Sequence, residues 1–173
     1  TYAPSLTDTA IQASARRAFD QAGVSPSQIG LASVYDCYTI TVLLTLEDSG
    51  FTPKGTGGRS IEAHDMRWNG DFAGNTHGGQ LSFGQPGIAG GMSHVTEAVR
   101  QIQGRAGARQ IPDLELAFVN GNGGILSEQV SLIFGTLQVY HAREFIELML
   151  AQPVSRRALF TALFGGLVLP LGG

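Results

Sequence analysis

The stretch SVYDCYTITVLLTLED, residues 33–48, is the clearest guide to the class of fold. Its first residues end an apolar run, IGLASVY (29–35), which has the length of a buried strand. Residues 39–49 then carry apolar and β-branched side chains and are followed by Gly50, which predicts a buried helix. A strand that leads directly into a helix, with polar side chains at the junction, is typical of a layered α/β domain.

The segments on either side continue the same alternation of helix and strand. Apolar residues three and four apart predict helices, and alternating apolar residues predict strands. The predicted elements are helices over residues 8–22 (capped by Asp8), 39–49 and 87–102, strands over 29–35, 113–119 and 127–134, a turn at NGNGG (120–124) and a long loop over 52–79. This order predicts a central sheet with helices packed on it.

The composition excludes several classes of function. Of 173 residues, 43% are hydrophobic and 14% are charged, and the formal net charge is −3. Since the 11 Lys and Arg residues are scattered, a nucleic-acid partner is not expected. The single cysteine, Cys37, excludes an internal disulfide and predicts a reducing, cytoplasmic setting. The four histidines lack the spacing of metal ligands, so no metal site is expected.

Three polar junctions are candidates for one ligand site. They are YDCY (35–38), FGQPG (83–87) and NGNGG (120–124), and each follows or precedes a predicted helix or strand. In layered α/β domains, ligands bind where strands end and helices begin. We therefore expect the three junctions to converge.

The motifs at these junctions resemble the C-terminal half of the thiolase superfamily. SVYDCYT (33–39) is similar to the family's His-Asp-Cys-Phe segment, and NTHGGQLSFGQPGIAGG (75–91) to its Asn-x-x-Gly-Gly…Gly-His-Pro-x-Gly segment. FVNGNGGILSEQ (118–129) is similar to its glycine-rich hairpin. The resemblance covers residues 4–135 and is nearest to thiolase-like enzymes of the sterol-carrier and lipid-transfer-protein types. It implies a thiolase-like α/β half-domain with a mixed central sheet over residues 1–136.

The positions that carry catalysis in the family are changed in this chain. Tyr35 and Gln85 stand where the first two motifs have histidine, and the hairpin has Asn122 and its neighbours in place of cysteine. Cys37 matches the cysteine that the sterol-carrier-type enzymes use as acid and base. The nucleophilic cysteine of true thiolases is implied to belong to an N-terminal half of the family unit, which this sequence does not match.

These changes leave three functions open. Gln85 cannot exchange a proton, so a standard thiolase cycle is impaired, although its amide can donate to an oxyanion. A retro-aldol cleavage of a 3-hydroxyacyl-CoA needs only a base and stabilisation of an enolate, and lipid-transfer-type aldolases resemble this chain in having tyrosine at the first motif. The third reading is a non-catalytic subunit that binds acyl-CoA or scaffolds a partner.

The resemblance implies a set of site residues and partners. The implied catalytic residues are Tyr35, Cys37, Gln85 and His77, and the implied substrate-binding residues are Asn75, Gly78, Gly79, Gly84, Asn122 and Gly123. The substrate carries coenzyme A, in lipid or steroid side-chain metabolism. A homodimer and a small zinc-ribbon/OB-fold protein are the implied partners.

The last segment, residues 137–173, differs in character from the rest of the chain. Residues 158–171 are apolar, but this stretch is shorter than the roughly 18–20 residues that a membrane span needs. We interpret residues 137–173 as an atypical helical and apolar tail. A membrane contact is not expected elsewhere in the chain.

Overall fold

The computed structural model describes residues 5, 7–85, 87–123 and 126–135. Its helices are α1 (Ile11–Ala22), α2 (Thr39–Asp48), α3 (Gly57–Ala63), α4 (Gly79–Phe83) and α5 (Met92–Ile102), and its strands are β1 (Leu31–Val34), β2 (Ala73–Gly74), β3 (Leu116–Gly123) and β4 (Glu128–Gly135). Short 3-10 turns lie at Pro26–Gln28, Gly87–Ala89 and Gly107–Arg109. The predicted strand and helix of residues 29–49 are confirmed as β1 and α2.

The four strands form one mixed sheet in the order β2-β1-β3-β4. The strand β1 runs parallel to β2 and β3, with Leu31 beside both Ala73 and Ala117. The strands β3 and β4 form an antiparallel hairpin in which Asn120 pairs with Ser131. The α/β class and the mixed central sheet are thus confirmed. The strand β1 lies in the interior of the sheet and ends at Val34, so Tyr35 and Cys37 follow directly after its carboxyl end. Ligands of α/β domains bind at such strand ends.

Apolar side chains cover both faces of the sheet. On one face Phe118 of β3 stacks on Phe19 of α1, with ring centroids 5.4 Å apart, and meets Phe51 at 5.3 Å. On the other face, α5 helps to cover an aliphatic cluster of Leu31, Ala73, Ala98, Leu114, Ala117 and Val119. Neighbouring residues of a strand point to opposite faces, so β3 contributes Phe118 to one core and Val119 to the other.

The helix α5 begins later than predicted, and its predicted apolar stripe forms only part of its buried face. It begins at Met92, after a 3-10 turn and the pair Gly90–Gly91, because glycine disfavours a helix interior. Met92, placed on the predicted apolar stripe, is 58% exposed. The buried side chains of α5 are His94, Glu97, Ala98 and Gln101. Three of these four are polar, so the apolar pattern revealed only part of this face, namely Val95 and Ile102, which pack partly buried against the aliphatic cluster.

Three other predicted boundaries were wrong. Residues 120–123 belong to β3 instead of a turn, since the ladder to β4 holds Asn122 opposite Gln129. The segment 52–79 is not all loop, because it contains α3 and β2. Asp8 does not cap α1. The Thr9 hydroxyl instead accepts a hydrogen bond from the Ile11 N–H at 3.1 Å.

Two other predictions concern membrane contact and the tail. No helix in the part of the chain that the structure describes is long and apolar enough to cross a membrane. The predicted tail, residues 137–173, lies outside the described residues, and so does its apolar stretch 158–171.

Candidate active site

Tyr35 and Gln85 form the contact that joins the first two motifs. The Tyr35 backbone N–H donates to the Asn120 carbonyl at 2.9 Å, which fixes Tyr35 at the end of β1. The Tyr35 side chain is largely buried, and its hydroxyl accepts a hydrogen bond from the Gln85 side-chain amide. A Cβ atom at Gly90 would lie 2.3 Å from Oε1 of the Gln85 side chain, so the glycine makes room for this side chain.

Cys37 follows two residues later, at the start of α2. It is half-buried, and its Sγ lies 3.5 Å from the hydroxyl of Thr41, one turn further along the chain. Tyr38, at the N-cap of α2, makes no side-chain capping bond. The thiol therefore lies beside the hydroxyl of Thr41 in the first turn of α2.

Asp36, between these two residues, ties β1 to α4. Its buried carboxylate accepts hydrogen bonds from the backbone N–H groups of Gln80, at 2.6 Å, and Leu81, at 3.3 Å. Gly79 must be glycine here, because its φ is +65° and an added Cβ would lie 2.0 Å from Asp36 Oδ2. The first motif thus fixes the position of the Gly78–Gly79 segment.

His77 lies beside this segment in a half-buried position. Its Nε2 is 3.3 Å from the hydroxyl of Ser93, and its ring meets His94 edge-on at 4.9 Å. Burial lowers the pKa of His77, while the charges of Glu97 and Asp36 oppose that shift. The imidazole is accordingly neutral at neutral pH, the form that can accept a proton.

The predicted substrate-binding residues fall into two groups. Gly78, Gly79 and Gly84 lie at the ends of α4, all with positive φ. Asn75 instead holds the backbone, since its side chain donates to the Val34 carbonyl at 2.9 Å and accepts from the Val34 N–H at 2.7 Å. Asn75 was predicted to bind substrate, but its side-chain amide makes these two hydrogen bonds to the backbone of Val34.

The hairpin residues lie apart from the Tyr35–Gln85 contact. Asn122 and Gly123 are in β3, and Asn122 falls on the same face of that strand as Phe118. Tyr35 is on the other side, with its ring 6.0 Å from His94 of α5. The structure therefore unites the first two predicted junctions and leaves the Asn122 side chain on the opposite face of the sheet.

A buried ion pair, which no sequence pattern indicated, supports the loop that carries His77. The side chain of Glu97 is 1% exposed and accepts two hydrogen bonds from Arg109, at 2.9 and 2.8 Å. It also accepts from the Thr76 hydroxyl at 2.7 Å. Burial raises the pKa of Glu97, but the hydrogen bonds from Arg109, Thr76 and Gln101 outweigh it and lower the pKa from 4.5 to about 2.

This network predicts a pH-dependent contribution to stability. Since folding lowers the pKa of Glu97, its contribution is full above pH 4.5 and is lost as the pH falls toward about 2. Glu97→Gln should therefore lower the free energy of unfolding at pH 7 by on the order of 3 kcal/mol and by progressively less between pH 4.5 and 2. Urea unfolding at several pH values measures this difference. The control is Glu62→Gln, whose side chain is exposed on α3. Equal pH profiles for wild type and Glu97→Gln would contradict the prediction.

Within the described ranges, no cluster of three or more His, Cys, Asp or Glu residues is arranged to hold a metal ion. The groups that the site does present are a phenol, a thiol, a neutral imidazole and a side-chain amide. These side chains can transfer protons and donate hydrogen bonds to an oxyanion.

Comparison with known proteins places these features in a family. A family model described as thiolase C-terminal domain-like matches residues 1–136. The chain is 40% identical over 110 residues to an acetyl-CoA acetyltransferase of Methanothermobacter thermautotrophicus, a match that covers 64% of this chain and 29% of the relative. It is 35% identical over 109 residues to sterol carrier protein 2 of Oryctolagus cuniculus, covering 63% of this chain and 20% of the relative.

A solved structure agrees with these matches. The Ltp2-ChsH2(DUF35) aldolase superposes with a TM-score of 0.69 at 31% identity, covering 78% of this chain and 34% of the other. The chain thus spans roughly a third or less of the length of these relatives. Its motifs, its mixed sheet and the family match agree, and the chain belongs to the thiolase C-terminal domain-like family.

Proposed function

We propose that this chain is the C-terminal part of an enzyme that acts on CoA thioesters and cleaves or forms a carbon–carbon bond, with retro-aldol cleavage as the favoured reaction. The observation that carries the proposal is the hydrogen bond from the Gln85 amide to the Tyr35 hydroxyl. Because Gln85 donates to the phenol oxygen, the phenolic hydrogen is free to be exchanged with a substrate. A proton-transfer group is thereby paired with a partner that cannot itself take the proton.

The reaction has two proton transfers around one bond cleavage. The Tyr35 phenol first releases its own proton to solvent, and the phenolate oxygen, acting as base, then takes the proton of the 3-hydroxyl group of a 3-hydroxyacyl-CoA. As the new carbonyl forms, the bond between C2 and C3 breaks, and its electrons pass to the thioester as an enolate. The enolate then takes a proton at C2, which gives a shortened acyl-CoA beside an aldehyde or ketone. No acyl-cysteine is required at any step.

Other residues at the same junctions would assist. Cys37 and His77 are the proposed second proton-transfer groups, because both are half-buried in segments adjoining Tyr35 and α4. The side chain of Gln85 and the backbone N–H groups near Gly78, Gly79 and Gly84 are proposed to donate to the thioester oxygen, where negative charge develops. The roles predicted for Asn122 and Gly123 require that the substrate reach the hairpin.

A second candidate function is a non-catalytic subunit that binds acyl-CoA or scaffolds a partner. The observation in its favour is the hairpin, where Asn120 is fully buried and Asn122 lies on the face opposite Tyr35. This strand supplies no acid or base to the site. The two functions differ in one respect, which is whether a covalent bond in the acyl group changes.

The remaining proposals concern the substrate class, the partner proteins and the cellular location. Relatives named sterol carrier protein 2 and Ltp2 support a substrate from lipid or steroid side-chain metabolism. The name of the solved aldolase includes a DUF35 chain, which supports a small zinc-ribbon/OB-fold partner for this chain too. A homodimer and a cytoplasmic setting stay predictions.

The test uses the chain co-expressed with the N-terminal half of a thiolase-like relative. One reaction contains a 3-hydroxyacyl-CoA, and the other a 3-ketoacyl-CoA with free CoA, and mass spectrometry follows the products. An aldehyde or ketone from the first reaction supports the retro-aldol function. A shortened acyl-CoA from the second alone would instead establish thiolysis. Binding without product in either would establish the non-catalytic subunit.

A further inference from the structure

His94 is the one fully buried histidine among the described residues, and it contacts several parts of the candidate site. From α5 its Nδ1 lies 3.0 Å from the hydroxyl of Ser33 in β1, and its Nε2 lies 3.5 Å from Asp36 Oδ1. Its ring is 4.9 Å from that of His77 and 6.0 Å from that of Tyr35. One imidazole thus adjoins residues of both motifs.

The surroundings of the ring define which nitrogen carries the proton. Asp36 already accepts two backbone hydrogen bonds, and an ionised carboxylate can only accept. A lone pair on Nε2 would face the carboxylate oxygen without a hydrogen between them. With a hydrogen on Nε2 the N–H dipole is attracted to the Asp36 carboxylate 3.5 Å away, a contact that does not reach hydrogen-bond geometry, and Nδ1 then accepts from the Ser33 hydroxyl. The geometry therefore favours the Nε2-protonated tautomer.

We propose that His94 is a positioning residue of the candidate site, and that the N–H dipole of its Nε2-protonated, neutral form orients the Asp36 carboxylate by electrostatic attraction and thereby stabilises the start of α4. Asp36 Oδ1, the atom that faces Nε2, is also the atom that accepts the Gln80 N–H. The helix α4 leads within two residues to Gln85, the hydrogen-bond donor to Tyr35. His94 acts through these residues. Ser33 is fully buried, so the Ser33–His94–Asp36 arrangement presents no accessible nucleophile.

Burial keeps His94 neutral among several charged and titratable groups. Tyr35 and Asp36 face it from the end of β1, His77 from the segment before α4, and Glu97 and Arg109 lie behind His77. Burial, together with the neighbouring His77, lowers the pKa of His94 from 6.5 to about 4, against the opposing charge of Asp36. Since folding lowers this pKa, protonation of the unfolded chain reduces the free energy of unfolding as the pH falls from 6.5 to about 4.

The first test is nitrogen-15 NMR of the histidine rings in the full 173-residue chain. We expect the His94 signals of an Nε2-protonated neutral ring, with no change between pH 8 and pH 5. His64→Gln serves as the assignment control, since His64 is partly exposed and pairs with Asp71 at a distance from the site. An Nδ1-protonated ring, or a His94 signal that titrates near pH 6.5, overturns the proposal.

The second test compares two amides in place of the imidazole. The amide of His94→Gln reaches about as far as Nε2 and can donate to Asp36, whereas that of His94→Asn reaches about as far as Nδ1 and serves only Ser33. We expect the Gln80 N–H to lose protection from hydrogen exchange by roughly tenfold or more in His94→Asn, and by less than about threefold in His94→Gln. Equal loss in both variants, or loss spread evenly over α5, would mean that His94 only fills space.

A third readout rests on the proposed function. In the cleavage assay, His94→Asn should lower kcat by about tenfold with KM retained, and His94→Gln should restore most of kcat. The NMR and exchange measurements need no substrate, so they decide the role of His94 even where no cleavage is found. A KM change with unaltered kcat would overturn the assignment of His94 to positioning of the proton-transfer group.

Discussion

Tyr35→Phe is expected to lower kcat for retro-aldol cleavage by about 10²- to 10⁴-fold, which is the usual contribution of a positioned acid or base. The substitution removes the phenol oxygen, the atom that accepts the Gln85 hydrogen bond. It keeps the ring, which lies 6.0 Å from the His94 ring in a largely buried position, so the fold should be preserved. Mass spectrometry of the cleavage products measures the rate.

Tyr38→Phe is the matched control. It removes the same atom from a tyrosine three positions later, whose side chain is 70% exposed. We expect wild-type rates from this variant. Full cleavage by Tyr35→Phe would show that the phenol oxygen is not the base, and would leave Cys37 or His77 as the candidate.

Gly79→Ala is expected to destabilise the fold strongly. The left-handed φ of +65° costs an alanine about 1–2 kcal/mol. The new methyl group would also lie 2.0 Å from Asp36 Oδ2 and 2.6 Å from its Cγ. Asp36 is buried and holds the first turn of α4, so it cannot move without breaking the hydrogen bonds to Gln80 and Leu81. We expect the free energy of unfolding to fall by roughly 2–5 kcal/mol in total.

Gly23→Ala separates the clash from the backbone effect. Gly23 has the same φ of +65° at the end of α1, and an added Cβ there meets no atom within 4 Å. Urea unfolding should therefore show the backbone cost alone, about 1–2 kcal/mol. Equal losses for the two variants would mean that Asp36 does not crowd Gly79, and that the anchoring of α4 is misassigned.

Local patterns predicted the centre of this fold well. The apolar run 29–35 and the helix after it are confirmed, because a buried strand and an apolar helix each leave a continuous signal. The glycine-rich segments were harder to predict. Glycine carries little preference, so the pairing of Gly121 with Val130 in the ladder decides that residues 120–123 are strand. Similarly, the two-residue strand β2 exists only through its pairing with β1.

The residues of the site that lie in the motifs were predictable, whereas the buried residues of α5 that support them were not. Tyr35 and Gln85 stand in two motifs 50 positions apart, and the order of those motifs was enough to expect them in one site. His94 and Glu97 left no such signal. Ser33, the partner of His94, is distant in the sequence, and Arg109, the partner of Glu97, lies in a short 3-10 turn. In a sequence, a polar residue of a helix cannot be told from a solvent-exposed one until such partners are known.

Turnover of a 3-hydroxyacyl-CoA in heavy water, by the chain paired with the N-terminal half of a thiolase-like relative, tests the proposed carbon–carbon bond cleavage. A retro-aldol reaction through an enolate predicts that the shortened acyl-CoA carries one solvent deuterium at C2, together with an equimolar aldehyde or ketone. Tyr35→Phe should remove both products, and Tyr38→Phe should keep them. Intact substrate, bound to the protein but unchanged in mass after long incubation, would contradict the proposed cleavage and identify a non-catalytic subunit.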